Sequence, residues 1–155
     1  MMLYIFYKIG CWFSTRLPLA LSYRMACGLA DMHYNMSRKD REAVVNNLKV
    51  VLGGAYDEAR LAATAREVFR NFAKYLVDLF RFAMIGPNYI KENVKMEGLE
   101  NIDNALSKGK GVIALSAHIG NWELGGAALS FSGYPIAAVT LTHQNKKIND
   151  FFTRQ

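Results

Sequence analysis

With 155 residues the chain has room for one ordinary domain. At 52% hydrophobic and 21% charged residues, with 2 cysteines, it is neither a disordered chain, a collagenous repeat nor a disulfide-framework mini-protein. The 19 Lys+Arg against 13 Asp+Glu leave a net charge of +6, which suits a membrane surface, a nucleic acid or a phosphate-bearing substrate.

Residues 1–30 are dominated by apolar and aromatic side chains. Their only charges are Lys8, Arg16 and Arg24, and no acid precedes Asp31. A spanning helix needs about 18 uninterrupted apolar residues. The recurring cations break the run, and Pro18 ends or kinks a helix there. A cleavable signal peptide fits poorly, because apolar residues precede the first Lys and no small-residue cleavage site follows. The composition predicts one or two interfacial helices, with aromatic and Leu side chains in the bilayer boundary and cations at the phosphates. A helical hairpin packed on a soluble core is the competing expectation. Cys11 and Cys27 form no CxxC and have no histidine at zinc-ligand spacing, so reduced thiols are expected.

Ser37 with Asp40 reads as a capped helix start, and Gly53-Gly54 as its end. A long helix begins near Asp57 and runs to about Gly86-Pro87. Its stripe of Leu61, Ala65, Val68, Phe69, Phe72, Leu76, Leu79 and Phe80 has helical spacing and is expected to face a helix–helix core. Arg66, Arg70, Lys74 and Arg81 are expected to form a solvated face. The basic residues are dispersed and carry no nucleic-acid-binding motif, so no nucleic-acid partner is expected.

After Pro87 the pattern changes. Residues 94–97 alternate like a short strand, and 100–108 read as a polar helix closed by Gly109. Gly111 to Ala117 is a continuous apolar run, as expected of a strand buried on both faces, and Ile136 to Leu141 is a second. A helix over 121–132 separates them, broken by Gly133 to Pro135, and another starts at Asn145. The expected fold class is therefore α/β: a helical N-terminal region followed by the start of a mostly parallel sheet with crossover helices. The expected organisation is a membrane-associated helical segment over 1–36 and the N-terminal part of an α/β domain over 37–155.

In a parallel sheet, ligands bind beyond the carboxyl ends of the strands. His118 follows the first apolar run and His143 the second. On one helix, His118 and Glu123 would point roughly 140° apart. They can meet if His118 sits on the loop and Glu123 in the first turn of the next helix, with Gly120 making the turn and Asn121 the cap. The carboxylate then orients an imidazole able to act as general base toward a hydroxyl. Such a pair is also common as structure alone. No nucleophile elbow is present, which favours direct transfer over a covalent acyl-enzyme. His118, Glu123 and His143 match no zinc spacing, so no metal is expected.

The block His118-Ile119-Gly120-Asn121-Trp122-Glu123 resembles that of the bacterial lipid A biosynthesis acyltransferases, within the lysophospholipid acyltransferase superfamily. Asn46-Asn47-Leu48 in a basic helix, the aromatic helix after it, and the segment from Asn149 to Gln155 agree in order. The resemblance implies transfer of a fatty acyl group from a thioester of acyl carrier protein or coenzyme A to a hydroxyl of a membrane lipid. His118 would be the base and Glu123 its partner, with Asn121, Trp122 and His143 shaping the substrate site. No cofactor beyond the donor is implied. The basic N-terminal surface would hold the protein on the anionic cytoplasmic face of the inner membrane. Family members are considerably longer, so the chain is expected to be an N-terminal portion, with an inactive membrane-binding remnant as the alternative.

Overall fold

A computed structural model describes residues 2–139, 141 and 146–153. The helices are α1 (Met2–Arg16), α2 (Leu19–Met36), α3 (Arg38–Leu52), α4 (Glu58–Phe80), α5 (Pro87–Asn93), α6 (Leu99–Leu106), α7 (Trp122–Phe131) and α8 (Lys146–Thr153), with a 3-10 turn over Phe82–Met84. They fall into two compact units, Met1–Phe82 with Gln144–Gln155, and Ala83–His143. Among the described residues, no helix is long and apolar enough to cross a membrane.

In the first unit the helix boundaries follow local chemistry. Pro18 ends α1 and serves as the N-cap of α2. Ser37 caps α3 by accepting from the Asp40 amide at 3.4 Å, and Gly53 closes it in the left-handed conformation. Asp40 is too short to complete the reciprocal half of a capping box. Its carboxylate instead takes the Ser37 hydroxyl at 2.7 Å and His33 Nε2 at 2.9 Å. Asp57 caps α4 by accepting from the Arg60 amide at 2.7 Å. α4 ends at Phe80, the last residue of its apolar stripe and short of the expected end at Gly86-Pro87, and Pro87 begins α5.

α2 runs antiparallel to α4. Tyr34 at its far end donates to the Ala62 carbonyl at 3.2 Å, and Tyr23 near its start donates to Asp78 at 2.5 Å. Between them Arg70 grips both carboxylate oxygens of Asp31, at 2.9 and 2.8 Å. Ala30, Tyr34, Leu61, Ala65, Val77 and Phe80 are buried. The aromatic stripe of α4 is only partly core: Phe72 is 60% exposed and Val68 39%.

The expected solvated basic face is corrected by these contacts. Arg66 reaches Asn35 at 3.2 Å, Arg70 holds Asp31, and Arg81 donates to the carbonyls of Ser14 and Leu17. The last of these satisfies acceptors that the end of α1 leaves without an intrahelical partner. Three of the four basic residues thus tie helices together.

The bidentate hydrogen bonds from Arg70 hold the Asp31 carboxyl below the usual carboxylate range. A depressed folded pKa stabilises the protein above the unfolded value near ~4 and stops doing so as pH falls through the folded value. We expect thermal melts from pH 7 to pH 2 to lose stability across this acidic window. Asp31→Asn should be less stable at pH 7 and show a shallower acid loss; an equal loss in both proteins would contradict the assignment.

In the second unit α5 packs on α7, burying Ile90 and Ala128. Tyr134 donates to Asp103 of α6 at 2.7 Å. α6 and α7 are the helices expected, with Asn121 as N-cap of α7 and Gly133 (φ 94°) ending the turn after it, whereas α5 has no counterpart in the sequence reading. The sheet expectation does not hold. Among the described residues there is no strand, so the α/β expectation is overturned and the described architecture is helical. Residues 94–97 and 111–117 lie outside regular structure, as do the described residues of the second apolar run. Ile113 and Leu115 are 97% and 98% exposed, and Val139 and Leu141 are as open, so these side chains lie in solvent and not between paired strands. An apolar run signals suitability for a strand, whereas a strand exists only when a second segment completes its ladder.

Candidate functional site

The site is built on the turn entering α7. Ser116 accepts a hydrogen bond from the His118 amide at 3.2 Å, a side-chain-to-backbone link two residues apart of the kind that starts turns. His118 then takes φ 53°, the only described non-glycine residue with positive φ. That region is sparsely populated by L-residues, and such positions cluster where geometry serves a site. Gly120 follows at φ 70°, which a residue without Cβ adopts freely.

Asn121 accepts from the Leu124 amide at 3.0 Å and so fixes the first turn of α7. Trp122 and Glu123 occupy that turn. The Trp122 ring stands 4.6 Å from the His118 ring, centroid to centroid, tilted by 48°. Glu123 is partly buried, its Oε2 fully so, at the helix end where the backbone dipole favours an anion. His118 is exposed, so its ring faces solvent on a short, doubly anchored turn.

The structure thus gathers four of the five residues singled out from sequence into one turn and its helix start. His143 lies outside the described residues. The strand-end setting expected for His118 is corrected with the sheet: it follows a run without regular secondary structure. Ser116 was not read as part of the turn, though a serine two residues before a turn residue is a recognisable signal.

The cap gives a direct test. Asn121→Ala should cost about 1 kcal/mol of α7 stability. We expect faster amide exchange at Leu124 and its neighbours. Unchanged protection there would remove Asn121 from this role.

The whole sequence matches one family of acyltransferases. A family model described as bacterial lipid A biosynthesis acyltransferase covers residues 1–155, and the chain belongs to that family. No curated protein and no solved structure matches it. Membership assigns the general activity, acyl transfer to a lipid acceptor.

Proposed function

We propose that the chain moves a fatty acyl group from a thioester of acyl carrier protein or coenzyme A to a hydroxyl of a membrane lipid, such as a lipid A precursor or lysophospholipid. His118 takes the proton of the acceptor hydroxyl. The oxygen attacks the thioester carbonyl, the carbon–sulfur bond breaks, and the leaving thiolate is protonated by the imidazolium. Glu123 orients the imidazole and favours its charged form, and Asn121 holds the helix that carries Glu123. Trp122 and His143 contact the substrate. The donor needs no resident cofactor, since a thioester is already activated.

The observation that carries this reading is the block from His118 to Glu123, within a family match covering the whole chain, on a strained turn against a capped helix. The basic, aromatic helices α1 and α2 support placement on the anionic cytoplasmic face of the inner membrane. The test is transfer of a labelled acyl group from each thioester into lipid by membranes carrying the chain. A labelled ester is expected; none from either donor would overturn the reading. A second reading is a non-catalytic membrane-binding module, favoured by Phe6 and Trp12, 61% and 57% exposed on α1. Flotation with anionic vesicles but no transfer would select it.

A further inference from the structure

Among the described residues, the one ring or hydrogen-bond partner of the His118 imidazole is the Trp122 indole, 4.6 Å away between centroids and tilted by 48°. The turn makes this contact. Positive φ at His118 (53°) and Gly120 (70°) folds the chain back, and the Asn121 cap fixes where α7 begins. The imidazole is thereby brought beside a side chain four residues on.

Burial does not account for the indole. α7 packs through Ala128, which is 2% exposed, whereas Trp122 is 38% exposed. His118 is exposed as well, so one side of its ring meets the indole and the rest is open to a substrate. An exposed side chain samples several rotamers, and a neighbouring ring narrows that choice. A base held in one place is worth far more than one that wanders.

The identity of the ring adds a second effect. Of the aromatic side chains, tryptophan attracts a cation most strongly, out to about 6 Å from the centroid. Neutral imidazole gains only ordinary ring contact from it. The imidazolium gains electrostatic attraction too. A contact that strengthens as charge develops favours the transition state over the ground state.

We infer that Trp122 is a positioning residue for the base. Its indole holds the His118 imidazole on the turn, and it attracts the imidazolium formed when the acceptor hydroxyl gives up its proton. This role rests on His118 acting as the base and goes beyond contact with the substrate.

The ring contact is read without turnover, by NMR of the histidine ring protons in the full chain. The chain has 3 histidines, and His118→Asn assigns the signals of His118. The indole ring current should hold them away from the positions of a free histidine. Trp122→Leu should return them there, and Trp122→Phe should keep part of the displacement. In transfer from labelled thioester to lipid, Trp122→Leu should lower kcat about tenfold, with KM within about twofold of wild type. Loss of the cation contact supplies about two- to fivefold of this, and looser placement of the base the rest. Trp122→Phe restores a ring and should recover most of the loss. Amide exchange at Leu124 checks that α7 is intact, since Asn121 supplies its cap. Trp122→Met is the second ring-free variant should leucine loosen the turn.

His118 signals unmoved in folded Trp122→Leu or Trp122→Met would overturn the proposal. So would a raised KM with kcat unchanged, the mark of a substrate contact alone. Equal kcat for Trp122→Phe and the ring-free variants would also overturn it. A wild-type chain that shows the ring contact but transfers nothing would remove the acyl-transfer reading, and the role of Trp122 with it. A wild-type chain that transfers without the ring contact would remove only the role of Trp122.

Discussion

His118→Asn should lower acyl transfer by ~10²–10⁴-fold, the range associated with loss of a positioned general base. Asparagine is chosen because it tolerates the left-handed backbone that His118 occupies at φ 53°. The variant keeps the turn and removes the basic nitrogen. His118→Ala alone would confound the two effects, since alanine resists that conformation. If His118→Asn transfers at the wild-type rate, His118 is not the base. Glu123→Gln should be less severe, because it removes an orienting charge and leaves the base in place. The double variant should fall little further than His118→Asn, since residues acting as a unit are not additive. Acyl transfer from labelled thioester to lipid, measured at saturating acceptor, reads all three.

Phe80→Ala should be the most destabilising single truncation in the first unit, by about 3 kcal/mol or more. The ring is 92% buried (8% exposed) and meets Tyr7 edge-on at 5.8 Å. The peptide of Phe80 also accepts from the Cys11 thiol at 3.6 Å, so this one residue anchors α1 through side chain and backbone. Gly10 makes the argument sharper. A Cβ there would stand 2.8 Å from Phe80 Cε2, closer than two carbons tolerate. Glycine in mid-helix costs about 1 kcal/mol of propensity relative to alanine. Gly10→Ala should nevertheless destabilise, because overpacking costs about 1–3 kcal/mol. In the Phe80→Ala background the obstacle is gone, and the same Gly10→Ala change should stabilise. Chemical denaturation of the four proteins closes the cycle. Additive effects would show that the ring and the glycine do not bear on each other.

The helices were legible because their ends are set by neighbours in sequence. Ser37, Asp57 and Asn121 each cap amides three residues on, and Gly53 and Gly133 supply the conformation that stops a turn. The candidate turn was legible for the same reason: Gly120 and Asn121 announce it. The positive φ of His118 was not, because histidine gives no such local signal. The roles of Arg66, Arg70 and Arg81 were hidden because their partners lie far along the chain; Asp31 and Arg70 are 39 residues apart. The sheet expectation failed through the same non-locality. Residues 111–117 have the composition of a buried strand, and composition does not say whether a second strand stands beside it.

Those extended runs also bear on how copies of the chain behave together. Residues 111–117 contain no charge and no proline, and offer β-favouring side chains to solvent along their length. Such segments are templates for intermolecular stacking. Lys108 and Lys110 stand just ahead of the first run, where charged gatekeepers oppose association. Their repulsion is screened beyond about 8 Å at physiological ionic strength. Colloidal stability of this protein should therefore decline as salt rises, with self-association beginning in the segment that leads to His118.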